Sequence, residues 1–264
     1  MDLQLQDKLA FVSGSTAGIG LAIASALAGE GATVIINGRT SNRVAGAVAN
    51  IQRQHPSAKL ARFAGDLSKP EAADRAAAEF PGVQILINNV GTFEPKPFGE
   101  ISDQDWFDII QTNFMSGVRL SRHYLPKMKA NNWGRIIFVS SESAVNIPVE
   151  MIHYGVTKTM QLALARGLAE TTAGTAVTVN SILPGPTRSE GVHEFLHSMA
   201  RSRGVEPAVV EKDFFETARP TSLLKRFAET AEVAPFVAFI ASPLSSATNG
   251  AALRVDGGVI RSII

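Results

Sequence analysis

The feature that most limits the fold is a repeated alternation. Short apolar runs alternate with longer stretches whose apolar residues have helical spacing along most of the chain. Leu9–Val12 is the first such run, followed by a helix over 19–28. A strand at 33–36 precedes a helix over 42–54. A strand at 60–64 precedes a short helix over 70–80, opened by Ser68 and Pro70. The pattern continues through a strand at 85–87, one long helix over 103–129, a strand at 135–140 and a helix over 153–171. A strand at 176–182, a helix over 229–241 and a strand at 252–255 complete it. This order predicts a parallel sheet of about seven strands with helices on both faces. Strands that are apolar throughout, and not at every second residue, fit burial on both sides. The expected class is doubly wound α/β. No internal repeat and no Pro- or Ser-rich linker divides the chain, so 1–264 is expected to form a single domain.

Only 188–224 departs from the pattern. It mixes helix and loop, with Phe195, Phe214 and Phe215 among charges. In an open α/β sheet, ligands bind beyond the carboxyl ends of the strands. An irregular insertion there is a candidate lid.

Composition narrows the function. With 45% hydrophobic and 19% charged residues the chain is not expected to be disordered. A formal charge of +1 with no long basic run argues against a nucleic-acid binder. The absence of cysteine removes disulfides, thiolate nucleophiles and Cys-ligated metals. The N-terminus MDLQLQDKLAF lacks the basic start and apolar run of a signal peptide. No apolar stretch is long enough to span a bilayer. A cytoplasmic protein without membrane partners is expected.

Directly after the first strand comes Ser13-Gly14-Ser15-Thr16-Ala17-Gly18-Ile19-Gly20. Glycines permit a tight turn and close approach of the backbone to a pyrophosphate. The helix that follows offers N–H groups and the positive end of its dipole. The same turn could serve packing alone, but its place between strand and helix favours a nucleotide. The second strand ends in Asn37-Gly38-Arg39-Thr40, with an arginine where NAD sites often carry a carboxylate. A guanidinium suits a 2′-phosphate, with Arg43 as a possible second cation. NADP(H) is therefore favoured over NAD(H). The alternative is that Arg39 is a solvated surface residue.

These features resemble the short-chain dehydrogenase/reductase family nearly end to end. The glycine turn has that family's spacing. Asp66-Leu67 is similar to its adenine-contacting position, and Asn88-Asn89-Val90-Gly91 to its Asn-Asn-Ala-Gly segment. Asn113 lies in the long helix, Ser141 follows the fifth strand, and Tyr154 and Lys158 form a Tyr-x-x-x-Lys pair. Pro184-Gly185 ends the sixth strand, and Val255-Asp256-Gly257-Gly258 resembles the C-terminal signature. The resemblance implies a Rossmann fold and interconversion of a carbonyl and a secondary alcohol by hydride transfer. It implies Tyr154 as general acid or base and Ser141 as hydrogen-bond donor to the reacting oxygen. Lys158 would hold the nicotinamide ribose, and Asn113 would position a relay water. Asn89, Gly91, Pro184, Gly185 and Thr187 would contact the cofactor, with Ser189 as an alternative anchor to Thr187. Independently of any family, positions i and i+4 share a helix face, and an ammonium beside a phenol lowers its pKa.

Ala17 departs from the pattern, because NADP(H)-using relatives often carry a basic residue there. The substrate is expected to be a small molecule bound by Glu142, Ser143, Met151, Val192 and Phe195. Phe93, Glu94, Ile147, Glu150, Leu196 and Met199 are further candidates. Glu142 and Glu150 could attract a cationic or hydroxyl-rich substrate. An NAD-dependent alcohol or polyol dehydrogenase and a 3-oxoacyl thioester reductase are alternatives within the family. A catalytically silent, cofactor-sensing relative is disfavoured because Tyr154 and Lys158 are both present. A rival from another class is a zinc hydrolase, since His193-Glu194-Phe195-Leu196-His197 matches H-E-x-x-H. Its third ligand would have to be a carboxylate such as Glu211 or Glu216, and no metal site is expected. A homotetramer or homodimer is implied, paired through the helices carrying Asn113 and Tyr154. The apolar tail Val259-Ile260 and Ile263-Ile264 would be buried at a second contact.

Overall fold

A computed structural model describes residues 1–263, apart from the side chain of Phe195. The first half alternates as expected: β1 (Leu9–Val12), α1 (Gly18–Gly29), β2 (Thr33–Gly38), α2 (Ser41–Gln54), β3 (Leu60–Ala64), α3 (Pro70–Glu79) and β4 (Ile85–Asn88). Next come α4 (Asp103–Ile110), α5 (Ser116–Ala130), β5 (Gly134–Val139), α6 (Ile152–Glu170) and β6 (Val177–Pro184). The chain ends with β7 (Thr187–Arg188), α7 (Glu190–Arg203), α8 (Pro207–Thr217), β8 (Ala228–Glu229), α9 (Thr230–Ala241) and β9 (Ala252–Val255).

Seven strands form one parallel sheet in the order β3-β2-β1-β4-β5-β6-β9. The pleat sorts their side chains to two faces. Ala10 and Val12 of β1 face a layer with α1, α2 and α9, while Phe11 faces one with α3, α5 and α6. All three are fully buried, which is why the strands read as unbroken apolar runs. Strand order reverses between β1 and β4, and a crevice opens at their carboxyl ends.

Two expectations change, and the insertion gains detail. The long helix over 103–129 is broken by a π-helical turn at Gln111–Met115. Its apolar spacing continues across the break, so the sequence pattern does not reveal it. The short helix starts at Pro70, but Ser68 does not cap it; Lys69 occupies the cap position and makes no side-chain cap bond. In the insertion, α7 and α8 pack on each other around Leu196, Val210, Phe215 and Phe227. A short parallel pair, β7 with β8, ties its two ends together.

Candidate active site

The turn after β1 is shaped by close contacts. Gly14 and Gly18 have φ of +62° and +55°, a region costly for residues with a side chain. A Cβ on Gly20 would lie 2.3 Å from Asn89 Nδ2 and 2.5 Å from the Gly14 carbonyl oxygen. Asn89 braces the turn, donating from Nδ2 to the carbonyls of Ser13 (3.0 Å) and Gly14 (3.1 Å). Ser15 turns inward. Its buried hydroxyl donates to the Val12 carbonyl (2.7 Å) and accepts from the Asn37 N–H (2.9 Å). Ser15 therefore ties the turn to β2, and its side chain does not face the crevice. No side chain caps α1, whose first-turn N–H groups suit a pyrophosphate.

Around the adenosine end, Arg39 is exposed and has no ion-pair partner among the described residues. Arg43 instead pairs with Glu190 of α7 at 3.3 Å. Asp66 is exposed and accepts from the Ser68 N–H (3.0 Å). Leu67 is 2% exposed and packs in the core with Phe63 and Ala73. Any contact it makes with an adenine must therefore come from its backbone.

The four catalytic candidates come from three elements and meet beside this crevice. Tyr154 and Lys158 lie one turn apart on α6, with the Lys158 Nζ 5.6 Å from the Tyr154 ring centroid. Nζ donates to the Val139 carbonyl at the end of β5 (2.9 Å). Ser141, just past β5, accepts from the Ser143 N–H (3.1 Å) and lines the same cleft as Tyr154. Asn113 sits in the π-helical turn, and its carbonyl accepts from Gln161 Nε2 (2.5 Å). Its side chain holds both the N–H (2.8 Å) and the carbonyl (2.9 Å) of Thr92 and donates to Thr157 Oγ1 (3.1 Å). Gly91 lies beside both groups, where a Cβ would be in ordinary contact with Lys158 Nζ at 3.4 Å and Asn113 Oδ1 at 3.7 Å.

Burial governs the titration of this pair. The Tyr154 phenol is pushed up to about 12 by burial, opposed by its hydrogen bond to Ser141. Burial pushes Lys158 down to about 8. The low-dielectric surroundings favour the neutral form of each group.

A cleft of about 670 Å³ lies over these groups. Of the substrate candidates, Glu142, Ser143, Met151 and Val192 line it, as do Phe93, Glu150 and Met199. The Phe195 side chain lies outside the described residues. Ile147 is directed against Gly155, and Leu196 is buried inside the lid. Thr187 lines the cleft wall and donates to the Gly185 carbonyl (2.9 Å), whereas the Ser189 hydroxyl caps α7. Gly185 is confined by Asp256, whose carbonyl oxygen would lie 2.4 Å from a Cβ. Sequence reasoning missed Arg203, Asp213, Phe214, Arg219 and Phe227, all of which reach the cleft. Their only signal was membership of the lid or proximity to it.

The rival constellation does not assemble. His193 and His197 stand with their Nε2 atoms 3.0 Å apart. Glu211, however, is held by Arg188 through two 2.9 Å bonds, and Glu216 pairs with Lys212 at 3.7 Å. Among the described residues no group of three or more such side chains could hold a metal ion.

The short chain dehydrogenase pattern matches residues 8–200. The chain belongs to this family. The whole chain is 48% identical to the whole of the uncharacterized oxidoreductase YvaG of Bacillus subtilis, over 263 residues. It is 32% identical to a D-beta-hydroxybutyrate dehydrogenase of Rhizobium meliloti, covering 95% of this chain and 98% of that one. The crystal structure of L-sorbose reductase from Gluconobacter frateurii, complexed with NADPH and L-sorbose, superposes with a TM-score of 0.93. That match covers both chains completely at 29% identity. This short-chain dehydrogenase is an NAD(P)(H)-dependent oxidoreductase. The tail differs from expectation. Val259 and Ile260 are buried within their own chain, where Asp256 Oδ2 accepts from the Ile260 N–H (2.8 Å). Ile263 is exposed, and Ile264 lies outside the described residues. No helix among the described residues is long and apolar enough to cross a membrane.

Proposed function

We propose that this short-chain dehydrogenase reduces an uncharged ketone to a secondary alcohol with NADPH, and carries out the reverse oxidation, as one catalytic unit in which 188–224 covers the substrate. The observation that carries the reading is the half-buried Tyr154 beside the buried Ser141, both lining a cleft next to the glycine turn. The nicotinamide, when bound, supplies the hydride in reduction and accepts it in oxidation. Tyr154 gives its phenolic proton to the carbonyl oxygen as the alcohol forms, and Ser141 donates a hydrogen bond to the same oxygen. Lys158 keeps further N–H donors for ribose hydroxyls and stands between Tyr154 and the Asn113 turn, from which the proton is replaced. Gly14, Thr16, Gly18, Ile19 and Gly20 hold the pyrophosphate, and Asn89 keeps that turn in shape. Arg39, exposed and without an ion-pair partner, supports NADP(H) over NAD(H), as does the NADPH in the sorbose reductase complex.

An uncharged substrate is supported by the walls. Phe93, Met151, Val192, Met199 and Phe214 present apolar surface. The cleft cations Arg203 and Arg219 are already paired with Asp213 and with Glu142 and Glu150. An anionic substrate would find no free positive charge among them. Pairing into a dimer or tetramer through α4, α5 and α6, in the cytoplasm, belongs to the same reading. Phe107 of α4, 61% exposed, supports it.

Initial rates with NADPH and NADH on neutral ketones and on acetoacetate test the proposal. Tyr154→Phe is expected to lose about 10²- to 10⁴-fold in turnover. A Tyr154→Phe enzyme as active as the parent, or a preference for acetoacetate over its ethyl ester, would sink it.

A further inference from the structure

Arg219, just beyond α8, is 3% exposed although it carries a full charge. Its Nε donates to Glu142 Oε1 (2.8 Å) and its Nη1 to Glu150 Oε1 (3.2 Å) and the Ala218 carbonyl (2.8 Å). Its guanidinium also lies over the Phe214 ring at 5.6 Å. Glu142 follows Ser141, and Glu150 lies four residues before Tyr154. One buried side chain of the insertion thus grips both ends of the segment between two catalytic residues. Taking such a charge out of water is costly, and removing one partner of a buried pair is costlier than the pair is worth. This arrangement therefore holds only while the lid lies against the loop.

We propose that Arg219 is a positioning residue, a latch that holds the lid on the Ser141–Tyr154 segment and cancels the Glu142 charge beside the Tyr154 phenol. Glu142 has little other compensation. Ser143 Oγ donates to its Oε1 (3.1 Å), while its Oε2 is buried without a hydrogen-bond partner. Asp256, facing it from beyond β9, adds negative potential. Tyr154 is faced by Lys158 from its own helix, by Ser141 and Glu142 from the loop and by Arg219 from the lid. The Glu142 carboxylate favours the phenol, and the Arg219 guanidinium favours the phenolate. Burial works against the Arg219 charge, but the two carboxylates outweigh it and hold its pKa above the arginine value. The latch thereby couples lid closure to the acid–base state of the reacting oxygen's partner. The second half of this inference rests on the proposed role of Tyr154, whereas the mechanical half does not.

Two readouts separate these halves. In hydrogen–deuterium exchange, Arg219→Gln is expected to speed exchange at least about tenfold in α7, α8 and residues 142–151, leaving β1 and β4 unchanged. Unchanged lid exchange, or equal acceleration in the sheet, would overturn the latch. This readout needs no turnover, so a chain inactive on every ketone would defeat the proposed function and leave the latch to be judged. In alcohol oxidation, the alkaline rise of turnover is expected at higher pH in Arg219→Gln. Glu142→Gln/Arg219→Gln, which removes both charges, is expected to bring it back. A rise at the parent's pH in the single variant, or no return in the double, would reduce Arg219 to packing.

Discussion

The sheet and the lid are built on different principles. The sheet is two-sided apolar packing in strict register: every residue of β4 and β5 is buried, and its helices close over it on both faces. The lid has a small core of Leu196, Ala200, Val210, Phe215 and Phe227. Beyond that it is fastened by arginines: Arg188 to Glu211 and Glu229, Arg203 to Asp213, and Arg219 to Glu142 and Glu150. A large apolar core unfolds as a whole, whereas a small satellite can open locally. The glycine turn proposed to hold the cofactor therefore sits on the part that cannot give way. The residues proposed to enclose the substrate sit on the part that can.

The largest expected effect is in the sheet. Phe11 is fully buried against Phe63 and Tyr124. Phe11→Ala should cost about 3–5 kcal/mol and lower the melting temperature by roughly 10 °C in a single transition. A melting shift within about 2 °C would break the contrast from the sheet side. Phe215→Ala removes a ring equally hidden, at 3% exposed, and stacked edge-on with Phe227. There the expected result is a smaller global shift, with KM for the ketone raised about tenfold as the lid loosens. A loss of melting temperature as large as that of Phe11→Ala would show that the lid is part of the main core.

Arg39→Ala should raise KM for NADPH roughly five- to tenfold and leave NADH unaffected. Steady-state kinetics with both cofactors decide it, and an undiminished NADPH preference would remove Arg39 from the site. The pH dependence is the gentlest probe. Tyr154 keeps its proton until the pH approaches about 12, so ketone reduction should not lose its acid between pH 6 and 9. Oxidation needs the phenolate, and its rate should climb with pH across the same range. Reduction that collapses below pH 8 through loss of the tyrosine proton would contradict the burial argument.

Much of the site could be read from the chain before any coordinates, for local reasons. A turn that must hold φ near +60° calls for glycine, so Gly14 and Gly18 announce themselves. Tyr154 and Lys158 are one helical turn apart, and that spacing alone puts them on one face. Other side chains have surroundings set by distant neighbours. Ser15 lies in the glycine turn, yet its hydroxyl is consumed by Val12 and Asn37. Leu67 follows an exposed aspartate, yet its side chain belongs to the core. The apolar tail at Val259 and Ile260 found its cover in its own chain.

By itself, then, the sequence determined the alternation of strands and helices, the glycine turn after β1 and the placing of Tyr154 and Lys158 on one helix face. Each follows from short-range periodicity or from backbone geometry that few residues tolerate. Only the tertiary structure decided that Arg219 meets Glu142, 77 residues away, and that a π-helical turn presents Asn113. It also decided that burial pushes the Tyr154 phenol up and the Lys158 amine down. Charge pairing and desolvation depend on what surrounds a group in space, and no spacing along the chain encodes that.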